Sequence, residues 1–364
     1  MKLDEIVSYF EELAPTAYQE EYDNAGLIVG DASMEVKAAL LTLDVTPEVV
    51  LEAIDKGANL IISHHPIIFR GIKKFTGSSY VEKTVAAAIK NDIAIFAAHT
   101  NFDSTMGGVN LSIARKLGIT NLEILQPINN GLFKLVTFVP VDSVEKVRDA
   151  MFKAGAGQIG GYDCCSFGSE GFGTFRAGDN THPYVGQKGE MHREPEVRVE
   201  TILPKNILTR VVEKMIEAHP YEEVAYDIYP LEIPYRQVGL GMVGNIEEPV
   251  ASVDFLRQVK EVFGAGVVRY TALSRQVIKR VAFCGGSGAS LIGKAIESGA
   301  DIFITSDIKY HQFFDADGRI IIADIGHFES EQFTIELFYE YLLKKFPTFA
   351  VLKSRVNTNP INYL

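Results

Sequence analysis

Histidine and carboxylate residues occur in three short segments, each of which directly follows a predicted apolar strand. The first segment is Ser63-His64-His65-Pro66. Adjacent side chains on extended backbone point in different directions, and Pro66 disfavours a helical conformation for His65. The pair is therefore better suited to two metal ions, or to one ion and one hydrogen bond, than to a single shared ion. A purely structural His pair is the alternative.

The other two segments contribute further candidate ligands. Asp103 follows Phe102 on backbone expected to be irregular, and His327 and Glu331 are expected on the first turn of an amphipathic helix. Their spacing of four residues places both side chains on one face of that helix. Taken singly, Asp103 could be a cap or turn residue, and the pair could be a surface contact. Because ligands bind at the carboxyl ends of parallel strands, the three segments together predict one site.

These five residues have the chemistry of a metal site. Imidazole and carboxylate ligands suit first-row divalent ions, and do not discriminate among zinc, iron and manganese. Five ligands exceed the need of one tetrahedral ion, so we expect two divalent metal ions per chain, with Glu331 or Asp103 as the bridge. Two such ions can acidify a water molecule and polarise a carbonyl or phosphoryl group. The expected chemistry is hydrolysis.

Apolar strands and amphipathic helices alternate on both sides of the chain's middle segment. Near the amino terminus, strands are predicted over 38–44, 59–63 and 93–98, with helices between them. Residues 49–63 resemble residues 291–305 at an offset of 299 − 57 = 242, and residues 95–103 resemble 322–330 at an offset of about 227. This pattern predicts two similar βα halves with mostly parallel sheets, unless both are generic helix–glycine–strand units.

The middle segment, residues 126–232, has a different pattern. Strands are predicted over 132–140, 196–203 and 224–229, with helices over 143–154 and 205–218. The glycine-rich residues 155–189 are expected to form a hairpin and an extended loop. This order is typical of a ferredoxin-like sandwich. The predicted fold is therefore α/β: halves 1–125 and 233–364 form one metal-binding domain, and 126–232 is an inserted α+β domain.

Composition excludes several classes of protein. The chain has 364 residues, of which 47% are hydrophobic, and a formal net charge of −12. This charge disfavours nucleic acid as a partner, and no apolar run is long enough for a membrane span. The amino terminus lacks the pattern of a signal peptide, and Cys164, Cys165 and Cys284 are expected to be free thiols. We therefore expect a cytoplasmic protein with a small-molecule substrate.

The ordered set of motifs closely resembles the GTP cyclohydrolase 1 type 2 family, also called Nif-three-like proteins. The motifs that carry the resemblance are His64-His65-Pro66, His99-Thr100-Asn101-Phe102-Asp103, Cys284-Gly285-Gly286-Ser287-Gly288, Thr305-Ser306-Asp307-Ile308-Lys309-Tyr310-His311 and Gly326-His327-Phe328-Glu329-Ser330-Glu331. The resemblance implies a dinuclear site with His64, His65, Asp103, His327 and Glu331 as ligands. Ser306 stands where the family usually has glycine.

The resemblance extends to the inserted segment, which is similar to the trimeric PII and CutA sandwiches. It implies a homohexamer whose metal sites face an internal cavity. Gly285 to Gly288 could hold a phosphate at a helix N-terminus or could simply form a tight turn. His99 and His311 are the candidate catalytic residues, each expected to move protons.

The favoured function is a dinuclear metal-dependent hydrolase of a nucleotide-like substrate, with GTP as the substrate that the resemblance implies. The alternative is a metal-binding or metal-delivery protein with a regulatory sensor domain and no turnover.

Overall fold

The computed structural model describes residues 1–364, which form two compact units. The larger unit combines residues 1–127 with residues 236–364, and the smaller unit is residues 128–235. The sequence placed the insertion at 126–232. The difference arises because the strand that precedes it continues to Ile128 and the strand that follows it begins at Tyr235. None of the helices combines the length and apolar character that crossing a bilayer requires.

The first part of the larger unit is built around a five-stranded sheet. Its elements are α1 (Leu3–Leu13), β1 (Gly26–Val29), β2 (Ala38–Thr42), α2 (Pro47–Asp55), β3 (Leu60–Ser63), α3 (Tyr80–Lys90), β4 (Ala94–Ala97), α4 (Thr100–Asp103), α5 (Val109–Leu117) and β5 (Thr120–Ile128). The strand order is β1-β4-β3-β2, and the chain's last strand, β15 (Ala350–Lys353), completes the sheet beside β2. Strands β2, β3, β4 and β15 are parallel, and β1 is antiparallel to β4.

The smaller unit follows β5 in sequence. Its elements are β6 (Leu132–Pro140), α6 (Val144–Lys153), β7 (Ser166–Arg176), β8 (Met191–Pro204), α7 (Leu208–Ala218) and β9 (Tyr226–Leu231). The antiparallel sheet has the order β7-β8-β6-β9. Both helices pack on one face of it, through Leu135, Val139 and Val199 of the sheet and Val147 and Met215 of the helices. The β-α-β-β-α-β order is the ferredoxin-like arrangement, with β7 inside the glycine-rich segment.

The remainder of the larger unit contains a second sheet of six strands. Its elements are β10 (Tyr235–Ala251), α8 (Ser252–Val262), β11 (Arg269–Tyr270), β12 (Val277–Ser287), α9 (Ile292–Glu297), β13 (Ile302–Ser306), β14 (Ile321–Asp324), α10 (His327–Glu331) and α11 (Thr334–Lys345). The order is β11-β14-β13-β12-β10-β5. Strands β12, β13 and β14 are parallel, whereas β11 and β10 run antiparallel to their neighbours.

The two sheets share the same order and direction of four strands. Strands β4-β3-β2 and β14-β13-β12 occur in the same order, each with an antiparallel edge strand beside the first. Strand β13 begins 302 − 60 = 242 residues after β3, and β14 begins 321 − 94 = 227 residues after β4. These are the two offsets found in the sequence. The long strands β5 and β10, by contrast, have no counterpart in the predicted pattern.

Local sequence explains why the strand ends of the first sheet are well fixed. Every residue of β2, β3 and β4 is buried, as is typical of parallel strands covered on both faces. Helix α2 begins where it does because the Thr46 hydroxyl accepts a hydrogen bond from the Val49 amide and Pro47 occupies the first turn. The rigid strands therefore determine where the residues that follow them lie.

Candidate metal centre

The candidate ligands converge at the carboxyl ends of three strands. Two of these strands, β3 and β4, belong to the first sheet, and the third, β14, belongs to the second. His64 and His65 follow β3, α4 with Asp103 follows β4, and α10 with His327 and Glu331 follows β14. Four of the five (His65, Asp103, His327 and Glu331) line a cavity of about 1040 Å³ in the larger unit, and His64 lies buried beside them. The structure thus brings all five sequence-predicted residues together.

His64 has a single possible orientation in this cluster. Its Nδ1 lies 2.9 Å from the carbonyl oxygen of Ala98, and its ring is fully buried. Its Nε2 lies 3.6 Å from Oδ1 of Asp103 and 3.7 Å from Oε1 of Glu331. Since the carbonyl oxygen can only accept a hydrogen bond, Nδ1 carries the hydrogen, and the Nε2 of a neutral ring presents its lone pair to the two carboxylates.

His65 and His327 repeat this arrangement with carboxylate partners. Nδ1 of His65 lies 2.8 Å from Oδ1 of Asp44, and Nδ1 of His327 lies 2.6 Å from Oδ2 of Asp307. The two Nε2 atoms are 3.0 and 3.1 Å from the same oxygen, Oε2 of Glu331. Carboxylates that hold Nδ1 in this way typically orient histidines for metal binding through Nε2.

Around the neutral ring of His64, acceptor atoms therefore face acceptor atoms. Three buried atoms have no hydrogen-bond partner: Nε2 of His64, Oδ1 of Asp103 and Oε2 of Glu331. An unsatisfied buried polar group costs about 1–3 kcal/mol, and a cation placed among these atoms removes that cost. Nitrogen and oxygen donors of this kind are those that zinc, iron and manganese accept. The residues fit a divalent metal.

The ligand atoms fall into two groups that share one residue. His65, His327 and Glu331 form one group, and His64, Asp103 and Glu331 form another; within each group the ligand atoms lie within 4.8 Å of one another. Glu331 belongs to both groups, which favours it over Asp103 as the bridge. A third group of the same size joins His99 to His64 and His65.

The charge balance of the cluster depends on the protonation of its histidines. Burial alone would lower the pKa of His65 and of His327, but the Glu331 carboxylate and the bonds to Asp44 and Asp307 raise these pKa values to about 10 and about 11. Burial lowers the pKa of His64 to about 4. Burial would raise the pKa of Glu331, yet the surrounding histidines hold it well below its usual value. Without metal, protons on His65 and His327 supply the positive charge that Glu331 requires.

Three ligands, Asp103, His327 and Glu331, lie on local structure that differs from the sequence prediction. Asp103 ends the four-residue helix α4 rather than lying on irregular backbone. This helix is anchored by Asn101, whose side chain accepts a hydrogen bond from the His99 amide and donates one to the Ala14 carbonyl. The buried ring of Phe102 lies 5.0 Å from that of Phe338. Asp103 is therefore held by both polar and apolar contacts.

His327 and Glu331 lie on their own short helix, α10, rather than on the first turn of the amphipathic helix α11. Gly326, with a φ of +97°, allows the chain to turn sharply before α10. The i, i+4 relationship nevertheless holds, since Nε2 of His327 and Oε2 of Glu331 are 3.1 Å apart.

The glycines at the end of β12 contact the metal-ligand cluster. The Gly285 amide donates to Asn110 Oδ1 and the Gly286 amide to Ser330 Oγ, so neither is available to an anion. A Cβ on Gly286 would overlap Oε1 of Glu331. Ser306, which stands where the family usually has glycine, is fully buried and donates to the Gly286 carbonyl at 2.6 Å.

The two candidate catalytic histidines have different surroundings. His99 lines the cavity, with its ring centroid 5.2 Å from those of His64 and His65, and its Nδ1 lies 2.8 Å from Oδ1 of Asp23. Hydrogen bonds from His99 and Thr100 lower the pKa of Asp23 to about 2, against the effect of burial. His311 is exposed, contacts Tyr310 and Phe314, and does not line the cavity.

Asp44 is the residue that the sequence reasoning missed. It follows β2 in the same way as His65 follows β3, because Thr42 and Ser63 are register partners and each acidic or imidazole residue lies two positions further on. The rule that selected the histidines, a polar residue at the carboxyl end of a buried strand, would also have selected Asp44. Its role depends on His65 Nδ1, which only the folded chain brings to it.

The chain is similar to known proteins over nearly its whole length. Residues 1–360 match the family model described as Duf34/NIF3 (NGG1p interacting factor 3). The chain belongs to the Duf34/NIF3 family. Two relatives named "GTP cyclohydrolase 1 type 2 homolog", from Halalkalibacterium halodurans and Bacillus subtilis, are each 38% identical over 99% of this chain and 98% of their own.

Two solved structures that are similar to this chain share its fold. A Bacillus cereus protein described as related to NIF3 is 38% identical, with a TM-score of 0.86 over 100% of this chain and 99% of that one. A Staphylococcus aureus protein is 30% identical, with a TM-score of 0.79 over the same shares. The mixed α/β architecture predicted from the sequence is thus that of a known family.

Proposed function

We propose that the chain is a metal-dependent hydrolase that acts on a nucleotide-like substrate at a dinuclear centre. The observation that carries the proposal is the convergence of buried, unpartnered ligand atoms on His64, Asp103 and Glu331. The names of the 38% identical relatives, which call them homologs of GTP cyclohydrolase 1 type 2, support GTP as the first substrate to test.

The chain's own residues have separable tasks in this proposal. His65, His327 and Glu331 would hold one ion, and His64, Asp103 and Glu331 the other. Two divalent ions bound there would supply Lewis acidity and lower the pKa of water. Asp44, Asp307 and the Ala98 carbonyl keep the proton of each histidine on Nδ1.

His99 is the residue that we propose for proton transfer. Asp23 holds its Nδ1 and remains ionised, so Nε2 is the nitrogen left to accept or donate a proton. Asp23 is itself fixed by the amide and hydroxyl of Thr100. This arrangement keeps one ring orientation and lets the other nitrogen exchange protons with a bound substrate.

A basic loop beside the metal cavity supports a phosphate-bearing substrate. Arg70, Lys73 and Lys74 line a neighbouring cavity of about 580 Å³. The two cavities share wall residues, among them Phe69 and Tyr80. A substrate whose reacting ring lies near His99 could therefore extend its phosphates toward these cations. Lysine ammonium groups attract phosphate oxygens as compact charges, and the arginine guanidinium can donate two parallel hydrogen bonds to them.

The assembly is proposed from family resemblance. The β-α-β-β-α-β order of the smaller unit supports its likeness to the PII and CutA sandwiches. We accordingly propose a homohexamer, for which the mass in solution, by light scattering coupled to gel filtration, is the test.

Turnover by the metal-loaded chain tests the proposed function. Release of formate or phosphate from GTP and related nucleotides is expected for the wild type and is expected to be lost in His64→Ala. The control is Glu336→Gln, a half-exposed carboxylate on α11 that pairs with Lys116 outside the cluster. Tight metal binding without turnover of any nucleotide would instead favour a metal-delivery protein.

A further inference from the structure

The smaller unit contains a cavity of its own, of about 660 Å³. It lies on the sheet face opposite the helices, because Val199 of β8 faces the helix core while Glu196 and Arg198 alternate to the other side. Residues 177–184 and 221–225 contribute the opposite wall. These two segments are joined by a hydrogen bond of 2.8 Å from the His182 amide to Oε1 of Glu222.

A buried carboxylate without a cation partner lies in this cavity. Glu196 is 9% exposed, and its Oε1 accepts a hydrogen bond of 2.8 Å from the Tyr221 hydroxyl. The neighbouring carboxylates Glu194 and Glu200 are each paired with a basic residue, but Glu196 takes part in no salt bridge. Its charge is therefore left for something outside the chain to neutralise.

The backbone makes room for this carboxylate at one glycine. A Cβ on Gly173 of β7 would overlap Oε2 of Glu196, whereas a Cβ on Gly171 would meet nothing within 4 Å. Both glycines lie on the cavity side of the same strand. The absence of a side chain at Gly173 thus lets the Glu196 carboxylate lie against the β7 backbone within the cavity wall.

Aromatic rings surround the carboxylate. The ring of Tyr221 lies 6.2 Å from that of Phe175 and 6.1 Å from that of Tyr184, and all three line the cavity. Aromatic faces attract ammonium and guanidinium groups. Hydrogen bonds from such groups to a carboxylate are stronger than neutral ones.

We propose that this cavity binds a small organic cation with N–H donors, a primary ammonium or a guanidinium. Glu196 accepts the N–H bonds, and the rings of Phe175, Tyr184 and Tyr221 enclose the charge. The charges of the lining residues also favour a cation, because carboxylates outnumber guanidinium groups. The carboxylates are Glu170, Glu196, Glu222 and Glu223, and the guanidinium groups are those of Arg176 and Arg198. The site is separate from the metal centre and does not depend on the proposed hydrolysis.

Calorimetric titration of the full chain with putrescine and agmatine tests the proposal. We expect one site per chain for at least one of the two amines, and no binding of 1,4-butanediol, the uncharged analogue of putrescine. Glu196→Gln removes the charge and keeps the shape, so we expect affinity to fall about ten-fold or more. Glu213→Gln, an exposed carboxylate on α7, is the matched control and is expected to bind as the wild type does.

A second pair of variants keeps the test decisive if Glu196→Gln fails to fold. Gly173→Ala is expected to displace the Glu196 carboxylate and weaken amine binding, while Gly171→Ala is expected to leave it within about two-fold, since its Cβ meets open space. Glu331→Gln is expected to leave amine binding unchanged. Three results would overturn the proposal: neither amine binds, butanediol binds equally well, or binding survives Glu196→Gln but disappears in Glu331→Gln.

Discussion

Gly286 lies directly against the carboxylate of Glu331. The Cβ of any larger residue at this position would overlap Oε1 of Glu331. Its φ of +62° is in the left-handed region, and its amide donates to Ser330 Oγ at 2.9 Å. The carboxyl end of β12 therefore limits where the carboxylate shared by the two ligand groups can lie.

Gly286→Ala is expected to weaken metal binding by about 10–100-fold, the usual effect of disturbing groups that orient ligands. The left-handed backbone adds a stability cost of roughly 1–2 kcal/mol. Competition with a chelator of known affinity measures the first effect, and urea unfolding the second. Gly293→Ala, on α9 with open space around its Cβ, is the control; equal metal loss in both variants would contradict the assigned role.

Glu331→Gln is expected to reduce bound metal from about two equivalents per chain to one or none, because both ligand groups contain Glu331. Elemental analysis of protein purified without added metal or chelator measures this. Glu336→Gln, which changes a half-exposed carboxylate outside the cluster, is expected to retain the full amount. A wild type that neither contains metal nor takes up zinc, iron or manganese would contradict the ligand assignment.

Metal binding is expected to release about two protons per chain at pH 8. The pKa values of His65 and His327 are raised to about 10 and about 11 in the metal-free cluster, so both rings carry a proton that the metal must displace. Unshifted histidines, with a pKa near 6.5, would release almost none at pH 8. Zinc calorimetry in buffers of different ionisation enthalpy counts the protons.

The same shifts determine how the stability of the metal-free protein depends on pH. Because the folded-state pKa values are raised, the protonated histidines contribute fully below about pH 6.5, and the contribution is lost as pH rises through about 10 to 11. Glu331→Gln removes the largest of the charges that raise both pKa values, while Asp44 and Asp307 remain. It should therefore lower the pKa values of His65 and His327 in the metal-free protein, which an NMR titration of the histidine rings measures, and unchanged pKa values would contradict this account.

Asp44→Asn is expected to weaken metal binding by about 10–100-fold without removing a ligand, because Asp44 holds Nδ1 of His65 at 2.8 Å. Its other oxygen accepts from the Thr358 hydroxyl at 2.7 Å, so the carboxylate is itself fixed. Zinc affinity by chelator competition is the measurement. Asp55→Asn, exposed at the end of α2, serves as control, and equal affinity in the two variants would show that Asp44 does not position His65.

Replacing both Lys73 and Lys74 with glutamine is expected to raise KM for a nucleoside triphosphate several-fold, roughly the loss of two weak phosphate contacts, with kcat unchanged. The wild-type KM should also rise with ionic strength, since these side chains are exposed. Lys90→Gln, exposed at the end of α3, controls for net charge. A fall in kcat without a change in KM would place the phosphates elsewhere.

Most of the strands that position the site were readable from the sequence. The apolar runs at β3, β4 and β14 are short, continuous and bounded by polar residues, so their ends, and hence His64, Asp103 and His327, could be placed. Local pattern could not show the long strands β5 and β10, because they are partly exposed and their partners are distant in sequence.

The sequence by itself determined which residue types are present at the strand ends, and therefore that nitrogen and oxygen ligands for a divalent metal were available. Only the tertiary structure decided their relationships. Glu331 lies between His65 and His327, 3.0 and 3.1 Å from their Nε2 atoms, and Gly286 makes space for it. The pairing of Asp44 with His65 and of Asp307 with His327 was likewise decided by the fold. The physical reason is that ligand direction depends on contacts between residues far apart in the chain, which strand periodicity cannot encode.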